Sequence, residues 1–265
     1  VAHGNKVLEI GTGTGWNTGL LAFGVGDDHL IYSIDIEPEL VESARVHLSV
    51  AGLPNVNLKA TDGAYGWPEA APFDRIIVTV GPTDIPPAWI EQLADGGILL
   101  MPLKTAVQAT PILRLRKDGN RLSGAFTRRN IVFVHIQGVL FGDEENEIDL
   151  PWDPIVEELL TQKPKRTPLP VFLSDPASRD RYRLLCDWVF FLRLNGLRFR
   201  RLAPDARQNG RILLFERGRN VICAVTLEEA LLEVYGDESA AERLAALQEE
   251  WIALGRPKIT DYKVQ

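Results

Sequence analysis

The chain has 265 residues, 45% of them hydrophobic and 25% charged, with a formal net charge of −7. That length can bury one large core or two moderate ones, and the composition is ordinary for a globular protein. A pI near 5.2 argues against nucleic acid as a partner. No apolar run reaches the roughly 18 residues that span a bilayer, and two cysteines, Cys186 and Cys223, make no disulfide framework and suit a reducing cytoplasm.

In chain order, Val7 to Ile10 reads as a buried strand, Gly11, Gly13 and Gly15 as a tight turn, and Trp16 to Phe23 as a helix. Strand, glycine turn and helix bring bare backbone N–H groups and a helix N-terminus up to a ligand. The dinucleotide pattern G-x-G-x-x-G would need glycine at position 16, which is Trp16. Glu9, at the strand end, would repel a pyrophosphate and suits an ammonium group. S-adenosylmethionine carries an ammonium, a carboxylate and no phosphate. It is therefore the ligand expected on Glu9, Gly11, Thr12, Gly13 and Gly15.

Leu30 to Ile34 reads as the next strand, with Asp35 at its end and Ile36 after it. A carboxylate roughly 20 residues past a glycine turn can accept from both ribose hydroxyls. Val56 to Ala60 is the third strand. Beyond it, Asp62 could accept from an adenine amino group, and Gly63 would let the purine lie against backbone. Further strands are expected at about 74–79 and 97–102, then a hairpin through Lys117-Asp-Gly-Asn120 and a closing strand from Asn130 to Gln137. This alternation predicts an α/β fold, a Rossmann-like doubly wound, mostly parallel sheet, followed by a C-terminal α+β extension.

The organisation expected is a ligand-binding domain over 1–138, an acidic segment and proline-rich linker over 139–170, and a C-terminal domain over 171–265. Residues 143 to 158 hold eight acids and no base, and Lys163 to Arg219 has a balance of +9. Within the latter, Lys163 to Pro170 reads as extended, Ser178 to Asn195 as an amphipathic helix, and Arg211 to Thr226 as a hairpin. Acidic helices are expected from Leu227 to Leu254. The basic block either neutralises its acidic neighbours or docks an acidic partner, for which a peptide fits better than nucleic acid.

Several runs together carry a specific resemblance: Val7 to Ala22, Tyr32 to Leu40, Asn55 to Gly63, Ala71-Pro-Phe-Asp-Arg-Ile-Ile-Val-Thr79, Gln92-Leu-Ala-Asp-Gly-Gly97 with Leu100-Met-Pro102, and Phe133-Val134. Over about residues 1 to 138 the chain resembles protein-L-isoaspartate O-methyltransferases, a class I S-adenosylmethionine-dependent family. The resemblance implies carboxyl O-methylation of aspartyl or isoaspartyl residues in a peptide or protein, the ester then closing to a succinimide. It implies a substrate wall at Thr79, Val80 and Gly81, faced by Val134 and His135. Thr79 either offers its hydroxyl or serves the turn. His135, where the family usually has proline, either pairs with the acceptor carboxylate or packs.

Two departures set further expectations. The family begins with several tens of residues ahead of the first strand, holding a Ser-x-Pro segment, whereas this chain starts at Val1. That hydroxyl is expected to lie outside the given sequence. The extension past residue 138 resembles family members from clusters for ribosomally made, cyclised peptides. This favours aspartate-to-isoaspartate tailoring of a cyclised precursor peptide, with general isoaspartate repair as the alternative and a small-molecule or nucleic-acid methyltransferase behind both. No metal is expected, because the four histidines lack ligand spacing; His29 and His47 read as surface residues. The expected location is the cytoplasm.

Overall fold

Every residue of strand β1 (Val7–Ile10) is buried, as befits a strand covered on both faces. It pairs in parallel with β2 (Ile31–Asp35) on one side and β4 (Phe73–Val78) on the other. β3 (Asn57–Ala60) extends the sheet beyond β2, and β5 (Leu93–Pro102) extends it beyond β4. Helix α1 (Trp16–Val25) follows β1, α2 (Pro38–Val50) follows β2, and α3 (Pro87–Gln92) precedes β5. Antiparallel β6 (Pro111–Asp118) and β7 (Arg121–Asn130) complete a mostly parallel α/β sheet in the order β7-β6-β5-β4-β1-β2-β3. The computed structural model describes residues 1–104, 110–130, 133–134, 136–138, 158, 161–168, 181–201, 211–215, 222–226, 231–235 and 239–264.

Local chemistry sets the element ends. Gly26 stops α1 in the left-handed region at φ 78°, its N–H bonded to Ala22 O. Pro38 opens α2 at a position where its fixed φ suits a helix. One expectation is corrected at the sheet edge. Among the described residues, β7 is flanked at this edge by Lys263–Val264, with Lys263 opposite Ala125. Of the expected closing strand, Asn130 ends β7, residues 133–134 and 136–137 form no strand, and residues 131, 132 and 135 lie outside the described residues. Gly81 N–H donates to Val134 O at 2.7 Å. α1 also carries an outward apolar stripe, with Trp16 77%, Leu20 55% and Phe23 87% exposed.

The described residues divide into two units, the first comprising 1–104, 110–130, 133–134, 136–138 and 262–264, the second 158, 161–168 and the remainder from 181 to 261. The second unit contains a sheet ordered β8-β12-β11-β10-β9. Its strands are β8 (Lys165–Pro168), β9 (Arg198–Arg201), β10 (Arg211–Phe215), β11 (Ile222–Thr226) and β12 (Leu231–Tyr235). Within the proline-rich run, Lys165–Pro168 is extended and paired with β12. β10 and β11 form the expected antiparallel pair, with Arg211 opposite Thr226. Leu231–Tyr235, expected as helix, is a strand. Five apolar-leaning residues with Val and Tyr suit a buried pleat, and Glu233 is held by Arg166 Nη2 at 2.9 Å and by Tyr235 Oη at 3.0 Å.

Helix α4 (Arg181–Leu194) is buried continuously from Cys186 to Leu192, so that stretch is a core helix rather than an amphipathic one. α5 (Ser239–Ala253) adds Leu244, Leu247 and Trp251 to the buried residues. Asp187 is buried and accepts from Ile259 N–H at 2.8 Å. Among the described residues, no helix is long and apolar enough to cross a membrane. The acidic run 143–157 lies outside the described residues.

Leu8 is wholly buried in the central strand. Leu8→Ala is expected to lower stability by about 2–5 kcal/mol in urea denaturation, through lost burial plus the cavity left behind; a loss under about 1 kcal/mol would contradict this placement.

Candidate active site at the carboxyl ends of the parallel strands

The glycine turn after β1 takes three left-handed residues, Gly11 at φ 102°, Gly13 at φ 53° and Gly15 at φ 83°. Only two of them are also crowded. A Cβ at Gly11 would come within 2.8 Å of Thr79 Oγ1 and Val80 Cγ1, and one at Gly15 within 3.1 Å of Ala44 Cβ on α2. At Gly13 nothing lies within 4 Å. Gly13 therefore opens onto free space, while its neighbours seat the turn against β4 and α2.

Four of the turn's N–H groups already have acceptors. Gly11 and Thr12 donate to Ile34 O at 2.8 and 3.0 Å, Gly15 to Thr12 O at 3.0 Å, and Gly13 to Asp35 Oδ2 at 2.8 Å. On the far side, Thr14 O accepts from His47 Nδ1 at 3.0 Å. That bond requires a proton on Nδ1, since a carbonyl only accepts. The expectation of bare donors is corrected at these four positions, where the turn is held by its own protein.

Glu9 lies beneath this turn. Its side chain is fully buried and does not line the cleft. Oε1 accepts from Asn17 Nδ2 at 2.7 Å, and Oε2 accepts from Thr18 Oγ1 at 2.5 Å and Ser33 Oγ at 2.6 Å. Ser33 Oγ also meets Thr12 Oγ1 at 2.7 Å. Because the Ser33 proton goes to the carboxylate, Thr12 is the donor in that pair. Burial pushes the Glu9 carboxyl above the usual glutamate range. The three side-chain donors pull it down, and Asp35 adds to the rise. The ammonium contact expected of Glu9 does not match this placement; its partners lie at the start of α1 and on β2.

A cleft of about 250 Å³ opens in front of the turn. Gly11, Gly13, Asp35, Ile36, Gly63, Thr79, Val80 and Val134 line it, all expected from the sequence. Ile10, Ile34, Glu37, Leu40, Ile136 and Gln137 line it as well and were not expected. Leu40 and Ile136 carried a signal in retrospect, as apolar residues close to Asp35 and Val134. Asp35 is half-buried, with Oδ2 bonded to Gly13 N–H and Oδ1 to Glu37 N–H at 3.2 Å. Each oxygen keeps a second lone pair for an incoming hydroxyl.

Thr12 and Gly15 sit behind the lining, as does Asp62. Asp62 Oδ1 accepts from Ala64 N–H at 2.9 Å, and its carboxylate lies against the backbone of Gly138. Gly63 is wedged between layers: a Cβ there would reach Ile10 Cγ2 at 2.6 Å, and its carbonyl accepts from Trp89 Nε1 at 2.8 Å. Thr79 Oγ1 lies 2.6 Å from Gly11 O and 3.0 Å from Ile10 O, so its proton is committed to backbone. Gly81 carries the pairing to Val134. His135 lies outside the described residues. Among the described residues one metal-like group occurs, Asp27, Asp28 and His29. It lies away from the cleft lining, and Asp28 is occupied by Asn55.

The profile of the family "Protein-L-isoaspartate(D-aspartate) O-methyltransferase (PCMT)" matches residues 1–139. The protein-L-isoaspartate O-methyltransferase of Pyrococcus abyssi is 47% identical over 139 residues, covering 51% of this chain and 62% of that protein. That of Methanococcoides burtonii is 36% identical over 138 residues, covering 52% and 67%. That of Anaeromyxobacter dehalogenans is 45% identical over 117 residues, covering 44% and 54%. The chain thus spans 54% to 67% of the length of these relatives. A solved structure described as a protein-L-isoaspartate O-methyltransferase superposes with a TM-score of 0.51 at 22% identity, over 98% of this chain and 72% of that one. This is a likeness of fold.

The buried carboxyl yields a pH prediction. A raised folded pKa means that the folded state holds the proton more tightly. The stability from this group is complete below the unfolded value of 4.5 and is lost as pH rises through the folded value. Glu9→Gln removes that dependence. The stability of wild type relative to the variant is expected to fall as pH rises above the unfolded value of 4.5 in parallel denaturation series; a difference independent of pH would contradict it.

Proposed function

Because this chain belongs to the protein-L-isoaspartate(D-aspartate) O-methyltransferase family, we propose that it transfers the methyl group of S-adenosylmethionine to the side-chain carboxylate of isoaspartyl residues in proteins and peptides. The observation that carries this reading is the meeting of Gly11, Gly13 and Asp35 at one cleft with Thr79, Val80 and Val134. One end has a half-buried carboxylate for ribose hydroxyls, beside the apolar Ile36 and Leu40. The other end has an apolar wall where an acceptor can approach. Open space at Gly13 gives the cofactor room against the turn, and acidic Asp35 and Glu37 disfavour a pyrophosphate.

When bound, S-adenosylmethionine supplies an electrophilic methyl on a sulfonium: a carboxylate oxygen bonds to the methyl carbon as the carbon–sulfur bond breaks, its electron pair returning to sulfur. No proton moves. A carboxyl with an ordinary pKa near about 4 is already ionised at neutral pH, so the chain need not supply a general base. Its residues hold the two reactants in line and keep water out. Gly11 and Thr79, locked to each other, fix the floor of the cleft. Val80 and Val134 present apolar surface at its rim.

The relatives named above are protein-L-isoaspartate O-methyltransferases, which favours general isoaspartate methylation over tailoring of one cyclised peptide. The ester's closure to a succinimide follows chemically from attack by the neighbouring backbone nitrogen. Labelled S-adenosylmethionine offered with an isoaspartyl peptide and with a macrocycle containing ordinary aspartate tests the choice. Label is expected in the isoaspartyl peptide, and Asp35→Ala is expected to raise the cofactor KM by about tenfold or more, the scale of losing a charged hydrogen-bond acceptor. Labelling of the macrocycle alone would favour peptide tailoring, and labelling of neither would refute the reading.

A further inference from the structure

We infer that Trp89 and Gln92, neither of which reaches the cleft, are positioning residues for the wall against which the purine end of the cofactor rests. The inference depends on the cleft being the S-adenosylmethionine site proposed above.

The wall comes from a segment with little rigidity of its own. Gly63 and Gly66 stand three residues apart, and glycine restricts its backbone least. Gly63 is the member that lines the cleft. The segment is gripped from behind by α3. Trp89, with no exposed surface, donates from Nε1 to Gly63 O at 2.8 Å. Gln92, 6% exposed, donates from Nε2 to Tyr65 O at 2.8 Å and accepts from Trp67 N–H on Oε1 at 2.7 Å. Gly66, at φ 61°, lies so close to Gln92 that a Cβ there would overlap its amide. Three hydrogen bonds thus tie the carbonyls of residues 63 and 65 and the N–H of 67 to one short helix.

That helix is anchored in turn. Lys117 on β6 donates from Nζ to Ile90 O and Leu93 O, both at 2.7 Å, satisfying carbonyls at the helix C-terminus. Ile10 of β1 blocks Gly63 on its other side. Gly63 can therefore move neither toward the sheet nor toward the cleft without breaking the bond to Trp89. An amide carbonyl pulled from its buried donor is left unsatisfied. The position of the purine wall is set by α3 rather than by the segment that forms it.

The test uses the full chain and two conservative variants. Trp89→Phe keeps ring bulk and removes only the N–H; Gln92→Glu keeps the acceptor for Trp67 and removes the donor to Tyr65. Calorimetric titration with S-adenosylhomocysteine and with its hypoxanthine analogue is combined with methyl-transfer kinetics and melting curves. Each variant is expected to weaken S-adenosylhomocysteine binding about tenfold, what one buried hydrogen bond amounts to. The preference for adenine over hypoxanthine should narrow, with kcat within about twofold of wild type, because the methyl end is untouched. Unchanged cofactor binding in both folded variants would overturn the inference while leaving the site assignment standing. So would equal weakening toward both analogues together with a collapse in melting temperature, which marks a merely structural role. Failure of wild type to bind S-adenosylhomocysteine would instead overturn the site assignment and the inference with it.

Discussion

A carboxylate buried at the end of β1 organises the first unit. Taking a charge out of water is costly unless donors surround it, and Glu9 is met by Asn17 and Thr18 from α1 and by Ser33 from β2. Those three donors belong to the two elements that the glycine turn must bring together. Satisfying one side chain therefore fixes where α1 begins relative to β2. Thr12 joins through Ser33. With the turn pinned from below, its N–H groups fall onto Ile34 O and Asp35, and the cleft is in place before anything binds.

This arrangement changes how recognition works at the turn. A glycine loop with free N–H donors attracts anions. Here the N–H groups of Gly11, Thr12, Gly13 and Gly15 are used internally, and the cleft presents the Asp35 carboxylate. Such a surface suits a ligand with hydroxyls and a positive centre. It also accounts for a proposed reaction that needs no proton relay: the chain's contribution is placement, and placement requires that the turn not adjust. Thr79 serves the same end from β4, closing its hydroxyl on the turn's carbonyls.

Much of the first unit was legible because its parallel strands are short, apolar and separated by glycine, proline and acidic residues. The lining by Gly11, Gly13, Asp35, Ile36 and Gly63 could be read from position alone, since ligands bind at the carboxyl ends of such strands. The role of Glu9 was not legible. Its sequence position faces a ligand, and only the distances to Asn17, Thr18 and Ser33 show where the charge is used. Side-chain bonds between residues far apart in sequence, such as Trp89 to Gly63, leave no local signal. Nor does the pairing of Lys263–Val264 with β7, which joins the chain's C-terminal end to the first sheet. In the second unit, Leu231–Tyr235 was lost among acidic helical residues because a five-residue apolar run fits strand and helix alike.

In this fold the protein itself, not its ligand, holds the glycine turn. Amide hydrogen exchange in the ligand-free protein tests this most directly. The amides of Gly11, Thr12 and Gly13 are predicted to be protected to a degree comparable with those of β1, because each has a partner within the fold. Rapid exchange at these three positions, with protection appearing only after S-adenosylhomocysteine is added, would contradict it and make the turn an element ordered by its ligand.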